Sequence, residues 1–231
     1  MTSWEQNFDS TSTGSLPSGW TQSTNSTSGS WDVRKGESTS SFNALRGNEP
    51  DGGSGSDIWA NTSNYSPTGN HTISFDAYFD SVNLKEQYAK FDFFNRDSAG
   101  ENDSGQQYTY RLSFEGGNND ILIENGNGKT KLQDFSQNQW YNVEIDVRYD
   151  TSDYYVRIDG TEYGPFDFDS ALSASEANYF TVKDGNSTVY IDTIVAGEVD
   201  LGRPSDASAS ASGTKRVGVV RCRRSGRPVM D

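Results

Sequence analysis

The chain has 231 residues, 13% of them aromatic, with a formal net charge of −14 and a mean hydropathy of −0.80. That length suits one large all-β domain or two small ones, and no run approaches the roughly 20 apolar residues of a membrane-spanning helix. The one cysteine, Cys222, rules out a disulfide framework, and so acidic a chain repels nucleic acid and anionic lipid, which argues against both as partners and against direct membrane insertion.

Trp4–Phe8 reads as a short first strand, followed by a Ser/Thr-rich link to Leu16-Pro-Ser-Gly-Trp20. Trp31–Val33 and Phe42–Arg46 read as further short strands, and the loop Asp51–Asp57 leads into Ile58–Ala60. In Thr72–Asp80, Ile73, Phe75, Ala77 and Phe79 alternate with Ser74, Asp76 and Tyr78, the period of two that marks a half-buried strand. Tyr88–Arg96 sets Ala89, Phe91 and Phe93 against Lys90, Asp92 and Phe94. Tyr108–Phe114 sets Tyr110, Leu112 and Phe114 against Thr109, Arg111 and Ser113. Turns at Glu115–Asn119 and Asn125–Gly128 bracket a strand at Ile121–Ile123; Asn-Gly favours a tight hairpin because both central residues need positive φ.

The strongest alternation follows. Tyr141, Val143, Ile145, Val147 and Tyr149 are interleaved with Asn142, Glu144, Asp146 and Arg148, and after a polar loop Tyr154, Val156 and Ile158 alternate with Tyr155, Arg157 and Asp159. This is an amphipathic hairpin that must lay its apolar face on another sheet. A loop centred between Thr151 and Ser152 places Asp146 opposite Arg157, Arg148 opposite Tyr155 and Glu144 opposite Asp159. Thr161–Phe168, a short helix near 171–177, Tyr179–Val182 and Thr188–Gly197 complete the elements. Many short strands with turns every 8–12 residues predict an all-β fold, an antiparallel sandwich or barrel of about twelve strands with little helix.

Residues 1–202 read as one domain. Residues 203–231 change to Ser/Ala-rich and then Arg-rich sequence with almost no apolar pattern, the composition of a disordered tail. Residues 1–205 hold 13 basic and 31 acidic side chains, a net of −18, whereas the remainder carries +4. A surface this acidic, poor in Lys and rich in Ser, Thr and Asn, suits a halophilic source, where salt screens self-repulsion. Asn-x-Ser/Thr sequons at Asn25, Asn61, Asn64, Asn70, Asn102 and Asn186 fall mostly in predicted loops, as on an extracellular or cell-surface protein. Met1-Thr-Ser-Trp-Glu is not a signal peptide, so an exported protein would carry its leader elsewhere.

Phe8-Asp-x4-Gly-Ser-Leu-Pro-Ser-Gly-Trp20, Ile73-Ser-Phe-Asp-Ala-Tyr-Phe79, Gln139-Trp-Tyr-Asn-Val-Glu-Ile-Asp146 and Val189-Tyr-Ile-Asp-Thr-Ile-Val195, in that order, resemble the concanavalin A-like, laminin-G-type (LamG-like) jelly roll. The resemblance spans nearly all of residues 4–197. It implies two antiparallel sheets packed face to face, in a family that includes lectins, carbohydrate-binding modules, adhesion domains and glycoside hydrolases, so function stays open.

Glu144-Ile-Asp146 puts two carboxylates on one face, as in laminarinase-type hydrolases of this fold, but Arg148 and Tyr149 stand where their second catalytic Glu falls. The sequence therefore assigns no catalytic residue. Candidate glycan contacts are the polar and aromatic residues of the non-core strand faces: Asp76, Tyr78, Asp92, Phe94, Arg111, Asp146, Tyr155 and Arg157. The loop holding Asp97, Glu101 and Asp103 offers oxygen ligands of the kind Ca²⁺ accepts, although no cofactor is required. The sole histidine, His71, gives a catalytic triad or zinc site little to draw on. The leading expectation is a non-catalytic module that binds a polysaccharide or glycoprotein glycan, or mediates adhesion. The alternatives are a polysaccharide-degrading enzyme (hydrolase or lyase) of the same fold and a structural surface or virion domain.

Overall fold

A computed structural model describes residues 4–24, 29–35, 43–48, 58–62, 69–82, 88–94, 110–125, 128–168, 179–185 and 187–198. All of them belong to one compact unit, Met1–Val199. The helix expected near 171–177 and the tail lie outside the described residues.

Every described element is a strand: β1 Trp4–Gln6, β2 Trp20–Thr24, β3 Ser30–Lys35, β4 Asn43–Asn48, β5 Ile58–Thr62, β6 His71–Val82, β7 Tyr88–Phe94 and β8 Tyr110–Glu115. There follow β9 Asp120–Asn125, β10 Gly128–Asp134, β11 Trp140–Arg148, β12 Asp153–Ile158, β13 Thr161–Asp167, β14 Tyr179–Gly185 and β15 Ser187–Glu198. One sheet, A, has the order β13-β12-β11-β6-β15-β4-β3, with β1 also paired to β15. The other, B, has the order β10-β9-β8-β7-β14-β5-β2. All pairings are antiparallel.

The fifteen strands among the described residues exceed the dozen expected because β2 and β10, the two edges of sheet B, are nearly devoid of apolar alternation. An edge strand needs only half the pairing and little core surface, and charge on it discourages association with another sheet. Lys129 and Lys131 supply that charge on β10.

The two sheets meet through the residues that alternation assigns to the core. Ile73, Phe75, Ala77 and Phe79 of β6, and Tyr141, Val143, Ile145 and Val147 of β11, face Phe91 and Phe93 of β7, Leu112 and Phe114 of β8, and Ile121 and Ile123 of β9. Phenylalanines interlock across the interface: Phe75 stacks on Phe91 and Phe79 on Phe114, each at 4.6 Å between ring centroids. Phe135, just after β10, closes that end against Phe79 and Phe114. Full burial of each such ring contributes about 1.5–3 kcal/mol.

The β11–β12 hairpin forms with a different register from the expected one. Glu144 stands opposite Arg157, Asp146 opposite Tyr155 and Arg148 opposite Asp153. The change slides one strand past the other by two residues, which returns every side chain to the same face, so alternation alone is blind to it. Local bonding decides instead. Asn70 Oδ1 accepts the Tyr149 amide at 2.9 Å, drawing Tyr149 out of the hairpin ladder, and Ser152 turns the chain at φ 58. Glu144 thereby meets a guanidinium rather than the carboxylate of Asp159, and Asp159 Oδ1 accepts the Asn142 amide at 2.9 Å.

Candidate functional site

The eight glycan-contact candidates do not share a surface. Asp76, Tyr78, Asp146, Tyr155 and Arg157 lie on the outer face of sheet A, and Asp92 and Arg111 on the outer face of sheet B. Phe94 is on β7 of sheet B, with its side chain outside the description, and Asp97, Glu101 and Asp103 lie outside the described residues. Among the described residues, no three His, Cys, Asp or Glu side chains are grouped to hold a metal ion.

On sheet A, Arg157 gathers the carboxylates. It donates to Glu162 at 3.0 Å, to Glu144 at 3.2 Å and to Asp146 at 2.7 Å, while Thr72 Oγ1 donates to the other Asp146 oxygen at 2.7 Å. Burial opposes the Arg157 charge, but Asp146, Glu162 and Glu144 outweigh it and raise its pKa. Glu144 and Asp146 thus both bind the same guanidinium. Arg148 lies 4.8 Å from the Tyr155 ring.

A row across the same face, Trp140–Tyr78–Tyr190, forms a small aromatic cluster with Ala44. The next row holds Asn142, whose amide donates to Asp76 at 2.7 Å, and Asp192. Burial raises the Asp192 pKa above the ordinary carboxylate value; hydrogen bonds from Thr193 oppose the rise, and Asp76 and Asp9 add to it.

Sheet B carries the more unusual arrangement. Across β7, β8, β9 and β10 one row reads Asp92, Arg111, Glu124, Lys129, each directly opposite the next. Its members alternate with the core residues Phe91, Phe93, Leu112 and Ile123, and therefore point away from the core. Even so, Asp92 is only 2% exposed, Arg111 9% and Glu124 6%. Arg111 grips Asp92 with Nε and Nη2, the latter at 2.6 Å, and donates through Nη1 to Glu124 at 3.0 Å. Lys129 Nζ reaches Glu124 at 3.0 Å and Glu115 at 2.5 Å, and Lys90 Nζ lies 3.8 Å from Glu124.

Charges move together in this array. Burial works against the Arg111 charge, but Asp92 and Glu124 hold its pKa above the ordinary value. Burial likewise pushes Glu124 up, yet Lys90, Arg111 and Lys129 bring it down to about 2. Lys90 is lowered by burial and then by Arg111, against Glu124 and Asp92. Opposite Lys90 on β8, Ser113 is fully buried and its Oγ has no hydrogen-bond partner among the described residues.

Sequence reasoning found Asp92 and Arg111 but missed Glu124, Lys129 and Ser113. Glu124 follows the apolar run Ile121-Leu-Ile, where no polar alternation marks it, and Lys129 sits on the edge strand that alternation did not reveal.

No family model matches the chain, and no curated protein matches it by sequence. Solved structures do match its fold. A sialidase aligns with 86% of the chain at TM-score 0.63 and 12% identity; the chain spans only 18% of that protein's length. The conserved carbohydrate esterase of the Shiga toxin-encoding bacteriophage phi24B aligns over 84% of this chain and 97% of its own, at TM-score 0.58 and 18% identity. The cellulose-induced protein Cip1 aligns over 85% and 97%, at TM-score 0.59 and 14% identity. The chain thus shares a two-sheet β-sandwich with proteins named for carbohydrate chemistry, and identities this low extend to the fold alone.

Proposed function

We propose that this chain is a non-catalytic carbohydrate-binding module of the concanavalin A-like kind, belonging to an extracellular or cell-surface protein of a halophile, and that it binds glycan on the outer face of sheet B. The observation carrying the reading is the Asp92–Arg111–Glu124–Lys129 row, an ion-paired array whose first three members are buried on a face that is not the core. Replacing such a network with apolar side chains of similar volume is commonly neutral or stabilising, so stability supplies no reason to retain it. Fixed planar donors and acceptors in a sheltered place are what recognition of sugar hydroxyls requires. The carbohydrate-related names among proteins of the same fold support the reading, as does the pairing of both Glu144 and Asp146 with Arg157.

Affinity electrophoresis through gels containing individual polysaccharides, run in molar salt, tests it. At least one polysaccharide is expected to retard the protein. Glu115→Ala and Lys129→Ala should relieve that retardation, whereas Glu144→Gln, on the opposite sheet, should not. Retardation abolished only by the sheet A substitution would move the site to that face, and release of reducing sugar would overturn the non-catalytic assignment.

A further inference from the structure

The charge pattern of sheet B's outer face bears on which glycan it takes. Along the row Asp92, Arg111, Glu124, Lys129 the signs alternate without interruption. The described cations beside it are also held by acids: Lys90 by Glu124, and Lys131 by Asp120 at 2.5 Å and Asp134 at 2.6 Å. Four cations thus stand among five carboxylates, counting Glu115, on a chain of net charge −14. A polyanion meeting this face would find each described ammonium and guanidinium group beside a carboxylate, and would be repelled by the protein's field as a whole.

An uncharged hydroxyl is suited differently. It donates to a carboxylate oxygen and accepts from an ammonium group, so it joins an alternating array without disturbing its charge balance. The array is also graded in exposure. It is closed over Asp92 and Arg111 and opens toward β10, where the Lys129 side chain is 51% exposed beside Glu115. Resting on the carbohydrate-binding reading above, we propose that the ligand is a neutral polysaccharide whose hydroxyls dock on this open side, against Glu115, Glu124 and Lys129, and that acidic and sulfated polysaccharides are rejected.

The test is titration calorimetry against neutral polysaccharides (glucan, mannan, xylan) and polyanions (polygalacturonate, alginate, a sulfated galactan), each at ~0.1 M and ~1 M NaCl. A neutral chain is expected to bind with affinity changing less than about twofold between the two salts, since no net charge is exchanged. Lys129→Ala and Glu115→Gln should each weaken it by about 3–10-fold, the net worth of one ordinary hydrogen bond on a partly exposed surface, with unchanged melting temperature showing an intact fold. Preferential binding of a polyanion, weakening steeply with salt, would overturn the inference while leaving a carbohydrate-binding module standing. Binding of neither class would overturn both.

Discussion

Removing the Arg111 guanidinium tests whether the sheet B array is buried as described. Arg111→Met keeps much of the side-chain volume but strips Asp92 of two charge-assisted bonds and Glu124 of one of its 3.0 Å partners. Asp92, 2% exposed, cannot recover its hydration, so the loss should approach that of an uncompensated buried charge, about 3–5 kcal/mol. With a urea dependence near 3 kcal/mol/M for a domain of this size, about 4 kcal/mol moves the unfolding midpoint down by roughly 1.3 M. Adding Asp92→Leu removes the stranded carboxylate, and the double variant should regain about half of the loss or more. Equilibrium urea unfolding followed by tryptophan fluorescence reads the wild type, Arg111→Met, Asp92→Leu and the double variant, and the cycle of four gives a coupling of about 2 kcal/mol or more. A loss below about 1 kcal/mol for Arg111→Met, with negligible coupling, is how an exposed pair behaves. That result would refute both the burial and the site argument built on it.

Glu124 should make the fold sensitive to acid: its folded pKa, about 2, is depressed from 4.5, so its contribution is complete above about pH 4.5 and is lost as pH falls toward 2. Glu124→Gln should flatten that part of a stability–pH profile measured by urea unfolding; an unchanged slope would contradict the ion pairing. Asp192 should behave oppositely, because its folded pKa is raised: its charge weakens the fold at neutral pH and is relieved on acidification. Asp192→Asn, which can still accept the Thr193 hydrogen bonds, is expected to raise the melting temperature at pH 7, with the gain shrinking as pH approaches 4; a lower melting temperature would show that the carboxylate serves some other partner. Phe91→Ala, which deletes a fully buried ring stacked on Phe75, should cost about 3–5 kcal/mol in urea unfolding, and a loss under 1 kcal/mol would deny its place between the sheets.

Period-two alternation was enough to establish an all-β fold and most of its core, while the choice of a two-sheet sandwich over a barrel rested on the family resemblance. Ile73, Phe75, Phe79, Phe91, Phe114, Val143, Ile145 and Val147 are buried where it puts them, because an antiparallel strand with one wet face can hide its apolar residues in only one way. The turn joining β8 and β9 was legible from Glu115–Asn119, which closes with Asn119 at positive φ, and so was the turn after β9 from Asn125–Gly128, with Gly128 at positive φ. The edge strands β2 and β10 were not, since polar sequence at a sheet edge looks like loop. Nor was the hairpin register, because a two-residue slip preserves every face, and the contacts that favour the observed one include the bond from Tyr149 to Asn70, 79 residues away in sequence, and the turn at Ser152.

The site shows the same division. Which residues point away from the core was written in the alternation. Which of them share a surface was not, because that depends on strand order. Asp76 on β6 and Asp92 on β7 belong to neighbouring strands in sequence, yet the chain crosses between sheets there and leaves them on opposite outer faces. Asp92, Arg111, Glu124 and Lys129 span 38 residues of chain and become one row only when β7 through β10 pair in register. Composition settled the sign and size of the net charge; only tertiary structure decided that the described cations of this face, Lys90, Arg111, Lys129 and Lys131, would each stand beside a carboxylate, because ion pairing depends on distances across strands that the order of residues does not contain.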